Sequence, residues 1–291
     1  MRLPEARSGG VVVTAEYREY RHLDTPGLVI VDGSMHLPTA KRDAKAEYLA
    51  EHIPGALFFD IDDISDKSSP LPHMLPSAEL FASRMKKMGI GDGMHVVAYD
   101  SEGLYSAARV WWMFRAMGHE DVRVLNGGLK KWMAEGRALE DGEPRRRSER
   151  HFTAMLNAEL VRDVSDVKAL IGGKSVQIVD ARAAARFAGS VPEPRAGLRS
   201  GHIPGSRNVP FASLLNADGT LKPATELRAL FANAGVDPAK PVVASCGSGV
   251  TAGVIALALA LLGRPDTAVY DGSWTEWGAD AALPIETGAA K

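Results

Sequence analysis

The apolar positions of the chain gather into short runs, separated by glycine-rich polar stretches and by longer segments with helical spacing. The clearest runs are Leu28-Val29-Ile30-Val31-Asp32, His95-Val96-Val97-Ala98-Tyr99-Asp100, Val176-Gln177-Ile178-Val179-Asp180 and Pro241-Val242-Val243-Ala244. Each is bounded by turn residues and is too short for a helix, so each reads as a buried strand. The Ala/Leu-rich stretch 253–262 reads as a helix soon after the last of them. Strands alternating with helical segments predict an α/β fold, a parallel sheet with helices on both faces.

The pattern occurs twice. The run ending in Asp32 returns as the run ending in Asp180, and His52-Ile53-Pro54-Gly55-Ala56 returns as His202-Ile203-Pro204-Gly205-Ser206. His95 to Asp100 pairs with Pro241 to Cys246, and Asn126-Gly127-Gly128-Leu129-Lys130-Lys131-Trp132 pairs with Asp271-Gly272-Ser273-Trp274-Thr275-Glu276-Trp277. The matches keep their order at offsets between 145 and 150 residues, which marks a duplicated domain. The expected halves are residues 10–140 and 158–285, joined by a charged linker over 141–157. The triplet Arg145-Arg146-Arg147 lies in that linker between Glu143 and Glu149, and reads as a solvated connection rather than a nucleic-acid patch. His52 and His202, each ahead of Ile-Pro-Gly, read as architecture because both halves carry them. So do Asp32 and Asp180 at their strand ends and the five tryptophans.

In open parallel sheets, ligands bind beyond the carboxyl ends of the strands. Cys246 occupies that place in the second half and Asp100 in the first, so only the second half carries a nucleophile. Cys246 is the only cysteine, set in Ser245-Cys246-Gly247-Ser248-Gly249-Val250-Thr251-Ala252. A tight glycine-bearing loop ahead of a helix turns backbone N–H groups inward and favours a thiolate. The alternative is a small buried apolar residue, a role with no use for glycines on both sides of Ser248.

At 291 residues there is room for two cores. Hydrophobic content of 45% and charged content of 24% are ordinary globular values. A net charge of −2 makes no case for nucleic acid or an anionic membrane. The apolar run 254–262 is too short to span a bilayer, and Met1-Arg2-Leu3-Pro4-Glu5-Ala6-Arg7 lacks the apolar stretch of a signal peptide. A single cysteine excludes an internal disulfide, and a reactive thiol suits a reducing compartment, so a cytoplasmic location is expected. There is no metal-ligand spacing and no dinucleotide fingerprint, so no cofactor is expected.

Two halves with strand-Asp and His-Ile-Pro-Gly motifs, and a cysteine loop in the second half alone, resemble the tandem rhodanese-domain sulfurtransferases. The resemblance runs over roughly residues 10 to 285. It implies two rhodanese-like domains, the first non-catalytic with Asp100 at the cysteine position. Cys246-Gly247-Ser248-Gly249-Val250-Thr251 is similar to the loop of the 3-mercaptopyruvate branch; thiosulfate enzymes typically carry basic residues at the two positions after the cysteine. The resemblance implies that Arg186 and Arg195 bind the donor's carboxylate and carbonyl, a task suited to guanidinium forks. Arg182, Arg199 and Arg207 lie nearby without matching the motif. It also implies that Ser248 works with Asp62 and His73 from the first half, against the plainer reading of Ser248 as a helix-capping turn residue. Gly247, Gly249, Val250 and Thr251 would complete the substrate loop.

The implied reaction is transfer through a Cys246 persulfide from 3-mercaptopyruvate, or alternatively thiosulfate, to thioredoxin, glutathione, a small thiol or cyanide. The absence of a second cysteine requires that the acceptor come from outside. Two rival readings remain: a persulfide carrier without catalysis, and a cysteine phosphatase. The latter needs an arginine six residues after the cysteine, where Ala252 stands.

Overall fold

The computed structural model describes residues 12–13 and 27–290. The expected domain start at residue 10 and the Met1–Arg7 segment lie outside the described residues. The first sheet contains β1 (Val12–Val13), β2 (Leu28–Asp32), β3 (Leu57–Phe58), β4 (His95–Tyr99) and β5 (Val122–Leu125), in the order β1-β5-β4-β2-β3. The second contains β6 (Val161–Arg162), β7 (Gln177–Asp180), β8 (Arg207–Asn208), β9 (Val242–Ser245) and β10 (Ala268–Tyr270), in the equivalent order β6-β10-β9-β7-β8. Every pairing is parallel. β2 and β9 are buried along their whole length, as strands covered on both faces must be. Asp32 pairs with Tyr99 and Asp180 with Ser245, so Asp100 and Cys246 leave their sheets at the same point. The repeat read from sequence is therefore a repeat of topology and register. The short strands β3 and β8 and the edge strands β1 and β6 carried too little pattern to be expected.

The helices of the first half are α1 (Ala44–Ala50), α2 (Ala78–Lys87), α3 (Ala107–Ala116) and α4 (Gly128–Ala134). Those of the second are α5 (Val164–Leu170), α6 (Ala184–Phe187), α7 (Ala224–Asn233), α8 (Ala252–Leu261) and α9 (Ser273–Trp277). Local chemistry starts several of them. Ser77 caps α2 by accepting from the N–H of Leu80, and α5 opens on a reciprocal box between Asp163 and Asp166. α8 is apolar on every face and buried from Ala252 to Ala260, the signature of an interior helix. It crosses α3, its counterpart in the first half. A Cβ on Gly253 would stand 2.9 Å from the backbone of Ala108, so only glycine permits this approach. One apolar cluster, with Phe81 and Trp112 from one half and Leu227 and Leu257 from the other, runs through the interface.

Residues 141–157 hold no helix or strand and are largely exposed. They are not a free linker. Phe152 enters the core, Met155 and Asn157 donate to Met117 and Ala116 at 3.0 and 2.7 Å, and Thr153 bonds Asp92. A Cβ on Gly89 or Gly91 would collide with this strap. One buried phenylalanine and these backbone bonds outweigh the segment's polar composition. His52 and His202 bond the carbonyls of Tyr48 and Phe187, each at 2.8 Å, and the five tryptophans are buried. Asp32 and Asp180 accept from the N–H groups of Ser34 and Arg182. Among the described residues no helix is long and apolar enough to cross a membrane.

Candidate active site

The loops after β4 and β9 start alike and are filled differently. Asp100, 1% exposed, turns its carboxylate into its own loop. There it accepts five backbone N–H bonds of 2.7–2.9 Å: Oδ1 takes Glu102 and Gly103, and Oδ2 takes Tyr105, Ser106 and Ala107. A loop that satisfies one anion with five amides is an anion cradle. In the second half the corresponding position is Cys246, also 1% exposed. Among the described residues no oxygen accepts from the N–H groups of Gly247 through Ala252.

The cysteine is pinned from β10 and α9. Its N–H donates to Ser273 Oγ at 3.1 Å, and that hydroxyl donates to the Tyr270 carbonyl at 2.8 Å. Its carbonyl accepts from the N–H of Trp274, and the Gly247 carbonyl accepts twice from Thr275. Ser273 holds a left-handed backbone, φ 49°, where side-chain-bearing residues are uncommon. Its first-half counterpart is Gly128, where a Cβ would fall 2.3 Å from the Asp100 carbonyl. Gly249, φ 78°, is required because a Cβ would meet the Asp271 carbonyl at 2.7 Å. The side chain of Val250 lies in the apolar core, so this residue offers the loop only its backbone. α8 is preceded by Thr251, not Ser248, so Ser248 is not a helix cap.

Arg186 reaches the loop from α6. A Cβ on Gly247 would stand 3.2 Å from its Nη2, so the missing side chain leaves room for the guanidinium. Its orientation is set by Glu193, which the sequence did not single out. Glu193 Oε2 accepts from Arg186 Nη2 at 2.5 Å, and Oε1 accepts from Arg182 Nη1 at 2.9 Å. The Glu193 side chain is 1% exposed. Arg182 is buried too, held by Asp180, the Gly201 carbonyl and the face of Trp274. It is a support for the arginine at the loop. Arg199, in contrast, bonds the carbonyls of Trp277, Gly278 and Leu283 around the end of α9.

From the first half, Asp62 and His73 come together, Oδ1 to Nδ1 at 2.5 Å. The far nitrogen of His73 meets Arg195 Nη2 in a long 3.5 Å contact. A guanidinium only donates, so this contact suits the tautomer whose ring proton is on Nδ1, facing Asp62. That hydrogen bond holds the Asp62 carboxyl below its usual range. Ser248 is buried beside the cysteine, but among the described residues its hydroxyl makes no hydrogen bond. The structure thus forms an Asp62–His73–Arg195 line, without a bond from His73 to Ser248.

Tyr105 is a further member that the sequence reading missed. It hangs from the Asp100 loop and packs edge-on to Phe211. Burial pushes its phenol up to about 12, with Cys246 adding to the rise and Arg195 and Arg186 opposing it. It therefore stands as a neutral O–H within electrostatic reach of the sulfur. A cavity of about 430 Å³ opens alongside, lined by Met35, Leu104, Tyr105, Phe211 and Leu215 among others.

The family described as the Rhodanese-like domain matches residues 20–135 and again 163–280. The chain belongs to the rhodanese family. It is 48% identical over 266 residues to the 3-mercaptopyruvate sulfurtransferase of Escherichia coli, across 91% of this chain and 94% of that one. It is also 48% identical over 255 residues to the thiosulfate sulfurtransferase of Bos taurus, across 87% and 85% of the two chains. The crystal structure of SseA from Escherichia coli superposes with a TM-score of 0.83 at 45% identity, covering 91% of this chain and 98% of that one. With such rhodanese relatives over nearly its whole length, the protein is a sulfurtransferase enzyme, working on a sulfur donor and a sulfur acceptor.

Proposed function

We propose that the enzyme moves sulfur from 3-mercaptopyruvate through a persulfide on Cys246 to an external thiol or cyanide. The observation that carries this reading is the contrast between the two loops. The first shows five amides on one carboxylate, and in the second the N–H groups of Gly247 through Ala252 are untaken among the described residues, in the loop that opens on Cys246. Such a loop stabilises both a thiolate and a persulfide anion.

The Cys246 thiolate attacks the donor sulfur, forming an S–S bond while the C–S bond breaks. The electron pair of that bond stays on carbon as the enolate of pyruvate. Arg186 and Arg195 hold the carboxylate and the developing enolate oxygen. His73 Nε2, giving up its long contact with Arg195, takes the proton from the donor sulfur and returns it to the enolate carbon, with Ser248 as a relay. Thiolate and mercaptopyruvate become persulfide anion and pyruvate, and charge and protons balance. Gly247, Gly249, Val250 and Thr251 contribute the loop around the substrate. An incoming thiolate or cyanide then attacks the outer sulfur and frees the Cys246 thiolate. Thioredoxin, glutathione, a small thiol and cyanide all fit that step.

The choice of donor rests on charge. A thiosulfate dianion calls for cations beside the sulfur, whereas Gly247 and Ser248 are neutral and Arg186 is already shared with Glu193. A mono-anionic α-keto acid suits that balance. We assign 10–140 to the non-catalytic half, 141–157 to the strap and 158–285 to the catalytic half. A cytoplasmic location fits a single thiol that must stay reduced. Intact-protein mass after single-turnover mixing tests the reading. One sulfur atom added faster by 3-mercaptopyruvate than by thiosulfate, and none on a Cys246→Ser variant, is expected. Faster labelling by thiosulfate would overturn the donor, and labelling of the variant would overturn the nucleophile.

A further inference from the structure

Two buried charges beside this site take no part in the chemistry above. Arg109 lies on α3 in the first half and Asp271 just beyond β10 in the second. Their side chains are 0% and 4% exposed, and Nη1 stands 2.5 Å from Oδ1. Each also holds a functional loop. Asp271 Oδ2 accepts from the N–H of Leu75 at 2.6 Å, and Arg109 Nη2 donates to the His73 carbonyl. Arg109 Nη1 also lies 3.4 Å from the Gly249 carbonyl. One ion pair therefore touches both the loop bearing His73 and the loop bearing Cys246. His73 itself has φ 62°, a conformation costly for a side-chain-bearing residue, and Arg109 grips the carbonyl of that residue.

The duplication supplies an internal control. Asn126 is the first-half counterpart of Asp271, and its Oδ1 accepts from the N–H of Leu221 at 2.8 Å. Leu221 and Leu75 correspond, each standing three residues ahead of its helix, α7 or α2. The same cross-half bond is thus made on both sides of the pseudo-symmetric interface, but on the Asp100 side a neutral amide suffices. There α8 presents Val254 and Ile255 where α3 presents Arg109. Burying an ion pair costs desolvation that apolar packing avoids. The charges occur only on the side that carries Cys246.

We infer that Arg109 and Asp271 are positioning residues, which set the His73 loop of the first half in register over the Cys246 loop of the second. This rests on the proposed transfer from mercaptopyruvate with His73 as proton carrier. It gives the non-catalytic half a second task besides supplying Asp62, His73 and Tyr105.

The test uses the full-length enzyme with two variants, Asp271→Asn and the double variant Arg109→Gln/Asp271→Asn. The double variant leaves no unpaired buried charge, so it serves if the single variant does not fold. Two half-reactions are timed: loading of Cys246 by 3-mercaptopyruvate, and discharge by cyanide after prolonged loading. Discharge needs only the outer sulfur, whereas loading needs His73 in place. Loading is expected to slow about tenfold or more while discharge stays within about twofold. Equal slowing of both steps, no slowing of either, or failure of the double variant to fold assigns the pair to structure alone and overturns the positioning role. A wild type that takes no sulfur from mercaptopyruvate overturns the donor reading, and this proposal with it. A wild type that loads alongside variants that load equally fast overturns only the positioning.

Discussion

Replacing Asp100 with asparagine asks how much of the fold hangs on the filled cradle. The asparagine side chain keeps one acceptor oxygen, best placed toward Tyr105, Ser106 and Ala107, the three amides that Oδ2 takes now. The new NH₂ group then faces Glu102 and Gly103. Gly103 N–H is buried, and leaving it unmet costs about 1–3 kcal/mol. Glu102 is half-buried and turns to water. The three remaining bonds lose their charge, at about 1 kcal/mol each. The sum is about 4–6 kcal/mol, a large share of the 5–15 kcal/mol typical of a folded domain (about 10 at the centre). Urea unfolding followed by tryptophan fluorescence reads this directly, since the five tryptophans are buried. Activity should fall as well, because the same carboxylate oxygen fixes the backbone of Tyr105 beside Cys246. A loss below about 1 kcal/mol, with activity intact, would refute the reading of this loop as an anion cradle whose contents hold it in shape.

Two other perturbations probe the surroundings of Cys246. Glu193→Gln removes the buried anion between Arg182 and Arg186; it should cost about 3 kcal/mol in urea unfolding and raise KM for mercaptopyruvate several-fold, and unchanged values for both would refute its orienting role. Asp62→Asn tests the pairing with His73 by acid unfolding. The carboxyl of Asp62 is held below its ordinary 3.8, first of all by the His73 hydrogen bond. Its stabilising contribution is therefore complete above that pH and disappears as pH falls through the lower folded value. Wild type and variant should differ above about pH 4 and converge in stronger acid, and curves that coincide throughout would dismiss the pair.

How far the chain was legible follows from which interactions are local. The runs around Val29, Val97, Ile178 and Val243 announce strands because a buried parallel strand needs an unbroken apolar segment. The repeat in order and spacing exposes the duplication, and the glycines around Ser248 mark the cysteine loop, since a turn's backbone demands are met within a few residues. The strap at 141–157 misled in one respect. Its composition is that of a solvated segment, and a single Phe152 with a few backbone bonds docks it.

By itself, then, the sequence determined two α/β halves, the lone cysteine at the carboxyl end of its strand, and the aspartate that stands at the matching place in the other half. Tertiary structure alone decided what surrounds the sulfur. Glu193 looks like an exposed proline-flanked acid until Arg182 and Arg186 close on it, and Tyr105 belongs by sequence to the half without the cysteine. Arg109 and Asp271 are 162 residues apart and meet only because Gly253 lets α8 press against α3. Periodicity records which face of an element is buried, but it does not record which distant charge will be waiting there. That depends on the packing of the two halves, where desolvation makes each buried ion require its partner.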